Sequence, residues 1–374
     1  MEIMSNALFL HKTKVDILND LFVFFFVLSF YNFTYQSNIY ILYSVIFIPF
    51  LLINRMNKYL HWFVILFISI FILQLIYHGA KDAFRIYKTF VVLLPAFLCN
   101  RIKDRNTIFD LLDIFVYINV TIVYIDFCLF FVTGITMTSV GNSGFMPRIG
   151  ALTEDSNFYS YLILVYSFFR IVRKKDFPYI CLFSIILSGS FAAILMSILL
   201  LFIYHIINKI ETDKSERMFR GFVTSFTIIL FLCYFLVVYF SNDIIDYFES
   251  LGFVGLLEIK LISMSHRFLV QNESMLLFLE QYNLFMGAGA GETINLNSLG
   301  LNLHNSYCQL LLESGLFCFL LVLFVVAYMG TKIHDLRIYV LFCSVFLLGC
   351  MMEILYFPLL SFIYYYDRSS WGKN

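Results

Sequence analysis

Charge is scarce in this chain. Only 13% of its 374 residues are Asp, Glu, Lys or Arg, against about 25% in soluble domains, so long stretches have no means of facing water. Proline is rarer still, with five residues, so few helices must end at a ring. No glycine-rich stretch closes on Gly-Lys-Ser or Gly-Lys-Thr, which excludes a nucleotide loop of that kind and an ATP-driven pump built on it. The cysteines (Cys99, Cys128, Cys181, Cys233, Cys308, Cys318, Cys343 and Cys350) lie in or beside apolar runs and show neither a disulfide framework nor zinc-ligand spacing. Acids and bases balance at 25 each, so no basic field argues for nucleic acid. The N-terminus is polar through Asp20 and lacks a cleavage site after a short apolar core. The first span is therefore expected to act as an uncleaved insertion signal.

Apolar residues are abundant. They make up 61% of the chain and fall in runs close to the ~20 residues that cross a bilayer. Runs such as 21–30 are continuous, whereas a transmembrane barrel requires alternation. The expected fold class is all-α: a polytopic integral membrane protein forming a single membrane domain over 1–374. About twelve spans of near-bilayer length are expected: 18–35, 38–54, 60–78, 84–100, 107–132, 157–171, 177–187, 190–208, 219–240, 308–328, 338–351 and 353–366. Three of them (177–187, 338–351 and 353–366) are short, as tilted, re-entrant or broken segments would be.

This threading puts all but six of the 25 Lys and Arg on one side. By the positive-inside bias that side is the cytoplasm, and both termini lie there. The exceptions are Lys81, Arg85, Lys88, Arg148, Lys260 and Arg267. Two external segments stand out. The loop 133–156 is rich in Gly, Ser and Thr. The loop 241–307 far exceeds the usual helix connection of about 2–8 residues, and it is apolar enough to form short helices on the membrane face, best at 268–282.

Several residues there carry candidate chemistry. Arg148, between Pro147 and Gly150, is either an ordinary turn residue or a guanidinium whose fork suits phosphate. Asp155 or Ser156 caps the span that follows. His266 and Arg267 open the expected surface helix and face either headgroups or a substrate anion. The stretch Gly287-Ala288-Gly289-Ala290-Gly291 reads better as a flexible turn than as a phosphate cradle. Ser306 and Gln309 have capping-box spacing. That puts His304 just outside a helix N-terminus, at the water interface, where imidazole can take a proton near neutral pH. Glu313 lies two turns deeper, where an ionisable group usually faces a cavity or a partner. It can pair with an Arg, orient His304 or act as the base itself. Lys81, Arg85 and Lys88 recur at helical spacing and either neutralise a lipid phosphate or snorkel to headgroups. Asp110, Asp113, Asp126 and Glu353 are further acids in or beside spans. Ser188-Gly189-Ser190 is a small-residue turn that permits close helix approach.

In this order the pieces give the chain a resemblance to a known superfamily, over its second half mainly. They are Arg148-Ile149-Gly150, Glu154-Asp155-Ser156-Asn157, Leu187-Ser188-Gly189-Ser190, Arg267, the Gly/Ala stretch 287–291, His304-Asn305-Ser306-Tyr307 and Glu313-Ser314-Gly315. The chain resembles the O-antigen polymerases (Wzy) and O-antigen ligases of bacterial polysaccharide assembly. Each piece alone is unspecific; order, spacing and common sidedness carry the match. One departure is that Phe191 follows Ser190 where the family often has Arg.

The resemblance implies a metal-independent glycosyltransferase of the bacterial inner membrane, working at its periplasmic face without cofactor, nucleotide or nucleic acid. The donor would be a glycan on undecaprenyl pyrophosphate and the acceptor another lipid-linked repeat unit. Membrane lipids and a chain-length regulator would be its other partners. Arg148 and Arg267 would face the leaving pyrophosphate, with Arg85, Lys88 and Asn305 as further substrate contacts. His304 would be the base and Glu313 its orienter. The nearest alternative is the ligase, with lipid A core as acceptor. A lipid-oligosaccharide transporter is the alternative of a different class, and it calls for mid-membrane ionisable residues and pseudo-repeats.

Overall fold

The computed structural model describes residues 58–370 apart from 81–86, 88, 91, 94–105, 144–145, 154, 174–177, 211, 242, 244–246, 248–255, 302 and 351–358. The first two expected spans, most of 84–100, and Lys81, Arg85, Lys88, Glu154 and Glu353 lie outside the described residues. In chain order the elements are helices α1 (Lys58–His78) and α2 (Asn106–Thr133), strands β1 (Ser139–Ser143) and β2 (Met146–Ile149), and helices α3 (Ser156–Val172), α4 (Tyr179–Leu187) and α5 (Phe191–Ile207). They continue with α6 (Asp213–Tyr239), α7 (Leu256–Gln281), α8 (Ser306–Thr331), α9 (Leu336–Leu348) and α10 (Leu359–Ser370).

The chain is a mostly helical membrane protein. Four of the described segments are long and apolar enough to cross a membrane: His61–His78, Asp110–Thr133, α6 and α8. Large apolar side chains such as Phe222, Ile229 and Leu236 on α6 point outward. That pattern suits hydrocarbon and not water. Several hydroxyls inside the helices are satisfied locally. The hydroxyls of Ser69, Thr121, Ser197, Thr224 and Ser344 each donate to the carbonyl four residues back. Helix α4, nine residues long, extends about 14 Å at 1.5 Å per residue and cannot by itself cross a hydrocarbon core of ~30 Å.

The described chain folds as two compact units. One holds α2, the β1–β2 hairpin, α3, α4, α5 and α10. Helix α3 is its centre, with Tyr159, Tyr161, Ile163, Val165 and Phe169 all buried. Asp155 starts it: the residue is extended, and its Oδ1 accepts from the amides of Asn157 at 2.7 Å and Phe158 at 3.3 Å. Of the two expected caps, Asp155 is therefore the one used. Asp113 ties α2 to α3, accepting from the Tyr166 hydroxyl at 2.7 Å and from Arg170 Nη1 at 3.1 Å. Asp126, fully buried, takes the amides of Met137 and Thr138, both at 2.9 Å, and so folds the end of the α2 loop back onto the helix.

The other unit holds α1, α6, α7, α8 and α9. Val270, Phe278, Ala288, Leu296, Leu303, Cys308 and Leu312 form its core cluster. Helix α8 is broken at Gly315, whose φ of 76° and ψ of 173° are not helical. A break in an apolar helix frees backbone groups that lipid cannot satisfy. Here the segment 284–289 satisfies them. Ala288 N donates to Leu312 O at 2.7 Å, Gly289 N to Glu313 O at 3.1 Å, and Leu316 N to Leu284 O at 2.9 Å. From α1, Gln74 Nε2 bridges Ser314 O at 3.0 Å and Met286 O at 2.7 Å.

The glycine-rich stretch is thus not the flexible turn expected but a fitted plug. A Cβ on Gly287 would collide with the Glu313 carbonyl, and one on Gly315 with that of Phe285. Both residues also hold positive φ.

Three alanine substitutions separate these causes. Gly221→Ala, in open helix, should raise stability by roughly 0.5–1 kcal/mol. Gly134→Ala has positive φ but open space, and should lose roughly 1–2 kcal/mol. Gly315→Ala should lose far more or fail to accumulate. Thermal unfolding of the detergent-purified variants measures the order, and equal losses at all three positions would contradict it.

Candidate functional site

The expected site residues fall into two clusters, one in each unit. The first is built on the hairpin. Strand β2 pairs antiparallel with β1, with Arg148 opposite Gly141. Three separate sequence motifs meet here. Ile149 N donates to Ser188 O at 3.3 Å, Arg148 Nε to Ser156 Oγ at 3.2 Å, and Ser190 Oγ to Asn157 Oδ1 at 2.9 Å. Ser160 and Ser188 share a hydroxyl contact at 2.6 Å. The Ser188-Gly189-Ser190 turn admits a strand, not a helix as expected: a Cβ on Gly189 would come to 3.0 Å of Pro147 O.

Arg148 is half-buried, and its Nε is held by a neutral hydroxyl. Among the described residues no carboxylate forms an ion pair with it. The fork of a guanidinium suits a bidentate anion such as phosphate. Ala151, just beyond, has φ of 47°. The turn there is held by Asn119 of α2, whose Oδ1 accepts from Leu152 N at 3.1 Å, and by Thr153 Oγ1, which donates to Gly150 O at 2.6 Å.

The second cluster joins α7, the plug and the start of α8. Arg267 is half-buried. It and His266 do not open a helix as expected, because α7 begins at Leu256 and places both in its interior. His304 is exposed, with φ of 50°, between Leu303 and Asn305, which are wholly buried. Helix α8 is capped by Asn305, not by the expected Ser306. Asn305 is the extended residue, and its Oδ1 accepts from the amides of Tyr307 at 2.9 Å and Cys308 at 3.0 Å. Ser306 is already helical and donates its own amide to Gly349 O at 2.8 Å. Gln309 turns to Glu313 instead of closing a box. Asn305, expected to touch substrate, is buried, and the other end of its amide donates to Gln271 Oε1 at 3.0 Å.

Glu313 is buried, and its Oε1 accepts from Gly291 N at 3.2 Å, Thr293 Oγ1 at 3.0 Å and Gln309 Nε2 at 3.2 Å. The carboxylate thereby pins the end of the plug. This also explains why the Gly/Ala stretch is no phosphate cradle: the amides of Ala288, Gly289 and Gly291 are spent on α8.

Gln271, Gln74 and Asn119 were missed in the sequence. All three are buried amides. Gln74 and Asn119 sit within apolar stretches, and that placement was their only cue, whereas Gln271 opens the polar run Gln271-Asn272-Glu273-Ser274 and carries no such cue. A groove of about 580 Å³ in the first unit, lined by Tyr124, Ile180, Phe183, Ile186, Ile198 and Leu201, contains none of the expected site residues.

Among the described residues, Ala151 and His304 alone hold positive φ without being glycine. Each costs on the order of 1–3 kcal/mol, and such strain gathers where geometry serves a function. One falls at the end of the Arg148 motif, the other at the head of the His304 motif. No family model, curated protein or solved structure matches this chain.

The strain at His304 can be measured apart from any activity. His304→Gly and His304→Asn tolerate the left-handed backbone and should melt within about 1 kcal/mol of the parent. His304→Val should lose roughly 1–2 kcal/mol more. A valine variant as stable as the glycine variant would show that the backbone there is not constrained.

Proposed function

We propose that this chain is an O-antigen polymerase, joining undecaprenyl-pyrophosphate-linked repeat units by glycosyl transfer at the periplasmic face of a bacterial inner membrane. On this reading the chain crosses about twelve times, its short segments being tilted, re-entrant or broken, and keeps both termini in the cytoplasm. One observation carries the proposal. An exposed imidazole stands on a strained backbone between two wholly buried residues, at the head of an apolar helix. The meeting of the Arg148, Ser156 and Ser188 motifs supports it.

In the reaction an acceptor sugar hydroxyl attacks the anomeric carbon of the donor. A new C–O bond forms, and the bond from that carbon to the pyrophosphate oxygen breaks. The electron pair leaves with the lipid pyrophosphate. His304 takes the hydroxyl proton, which contributes about 10²–10⁴-fold when a base is well placed. Arg148 and Arg267 answer the charge growing on the leaving group, and Arg85 and Lys88 are assigned to the same anion. Glu313 acts indirectly, through the turn it pins. Energy comes from the sugar–phosphate bond, in keeping with a sequence that lacks a nucleotide loop.

A broken membrane helix is also a transporter feature, where freed carbonyls coordinate ions. Here those of Leu312, Glu313 and Ser314 are taken by Ala288, Gly289 and Gln74, which favours the enzyme.

The test is complementation of a strain lacking the chain with Arg148→Ala, Arg267→Ala or His304→Ala, reading surface glycan on gels. Each should leave core bearing a single repeat unit at normal protein level. Unchanged ladders reject that residue's role. Bare core in the deletion strain, with polymer stranded on its lipid carrier, identifies a ligase instead.

A further inference from the structure

We infer that Gln271 is the positioning residue for His304, clamping the strained backbone from both sides; this rests on the assignment of His304 as the base. Gln271 is 1% exposed and lies on α7, one helical turn after Arg267. Its Nε2 donates to Leu303 O at 3.0 Å, and its Oε1 accepts from Asn305 Nδ2 at 3.0 Å. A single side-chain amide therefore grips the residues immediately before and after His304.

The hydrogen-bond directions are fixed and not arbitrary. The amides of Tyr307 and Cys308 can only donate, so the Asn305 atom they meet must be its oxygen. The other end of Asn305 is then a donor, and Gln271 must turn its oxygen toward it. That leaves Gln271 Nε2 facing Leu303 O, which can only accept. Tyr234 closes the set, its hydroxyl donating to Gln271 Oε1 at 2.9 Å.

The grip acts on the backbone torsion that is unusual. The orientation of the Leu303–His304 peptide sets φ at His304, and the Leu303 carbonyl is the handle Gln271 holds. The Asn305 cap fixes the peptide on the other side. Both neighbours are anchored while the imidazole is exposed, so the clamp can set the ring's stance without touching the ring. Arg267, on the same face of α7 one turn earlier, shares that platform.

The experiment pairs two readouts on purified protein in detergent. One is the His304 ring resonance, in protein labelled at histidine nitrogen and assigned with His304→Asn. The other is polymer formation from lipid-linked repeat units across pH. Gln271→Leu should shift or broaden the His304 resonance while those of His205 and His334 stay in place. It should also lower kcat on the order of 10²-fold with KM little changed and move the pH profile. Gln271→Glu keeps the acceptor but cannot donate to Leu303 O, and should fall between. Should Gln271→Leu not fold, Tyr234→Phe carries the test, with a smaller shift and a several-fold loss.

A His304 resonance and a pH profile unchanged in a folded Gln271→Leu or Tyr234→Phe variant overturn the inference. A wild-type protein that forms no polymer overturns the proposed function instead, and the resonance alone then decides whether Gln271 holds His304.

Discussion

A backbone group freed inside hydrocarbon must find a partner within the protein, and the second unit is organised around that requirement. Gly315 interrupts α8, and the segment 284–289 enters the gap closely enough to exchange main-chain hydrogen bonds with it. The exchange works because two glycines face backbone on the opposite side, where any side chain would collide. Gln74 and His78 of α1, a helical turn apart, both reach Met286 O and hold the inserted segment from outside. Glu313 fastens its far end.

The short helical half of α8 before the break is therefore fixed at both ends. At its start, Tyr307 packs edge-on to Phe231 and donates its hydroxyl to Phe346 O at 2.7 Å, while Ser306 N reaches Gly349 O. Asn305 and Gln271 complete the anchorage one residue earlier. His304 stands at the end of this rigid piece. Its left-handed backbone persists because everything around it is determined by other contacts. The first unit repeats the theme at Ala151, held between Asn119, Thr153 and the Ser188 carbonyl that meets Ile149.

Much of this was legible in the sequence, for local reasons. Apolar runs gave helices close to the expected limits at most of the described spans, while α6 and α7 start six and twelve residues earlier than expected. Asp155 was visible as a cap because its partners lie two and three residues on. The Arg148, Ser156 and Ser188 motifs were recognised as separate pieces, though not as one cluster. What escaped depends on distant partners. Gln74 bonds a carbonyl 240 residues away and Gln271 one 32 residues away, and no local pattern announces either. The Gly/Ala stretch misled because alternating glycines read as looseness when their partner, the break in α8, lies further along the chain. Asn305 displaced Ser306 as cap because both residue types suit the position, and only the backbone angles separate them.

The central claim is that the chain itself elongates a glycan by displacing lipid pyrophosphate, drawing on the bond already present in its donor. The direct measurement uses the purified protein in liposomes with undecaprenyl-pyrophosphate-linked repeat units, EDTA and no nucleotide, following glycan length by mass spectrometry. The account predicts products of two and more repeat units on the lipid, with one lipid pyrophosphate released per linkage. Repeat units that stay single, or that lengthen only when nucleotide or metal is supplied, would contradict it.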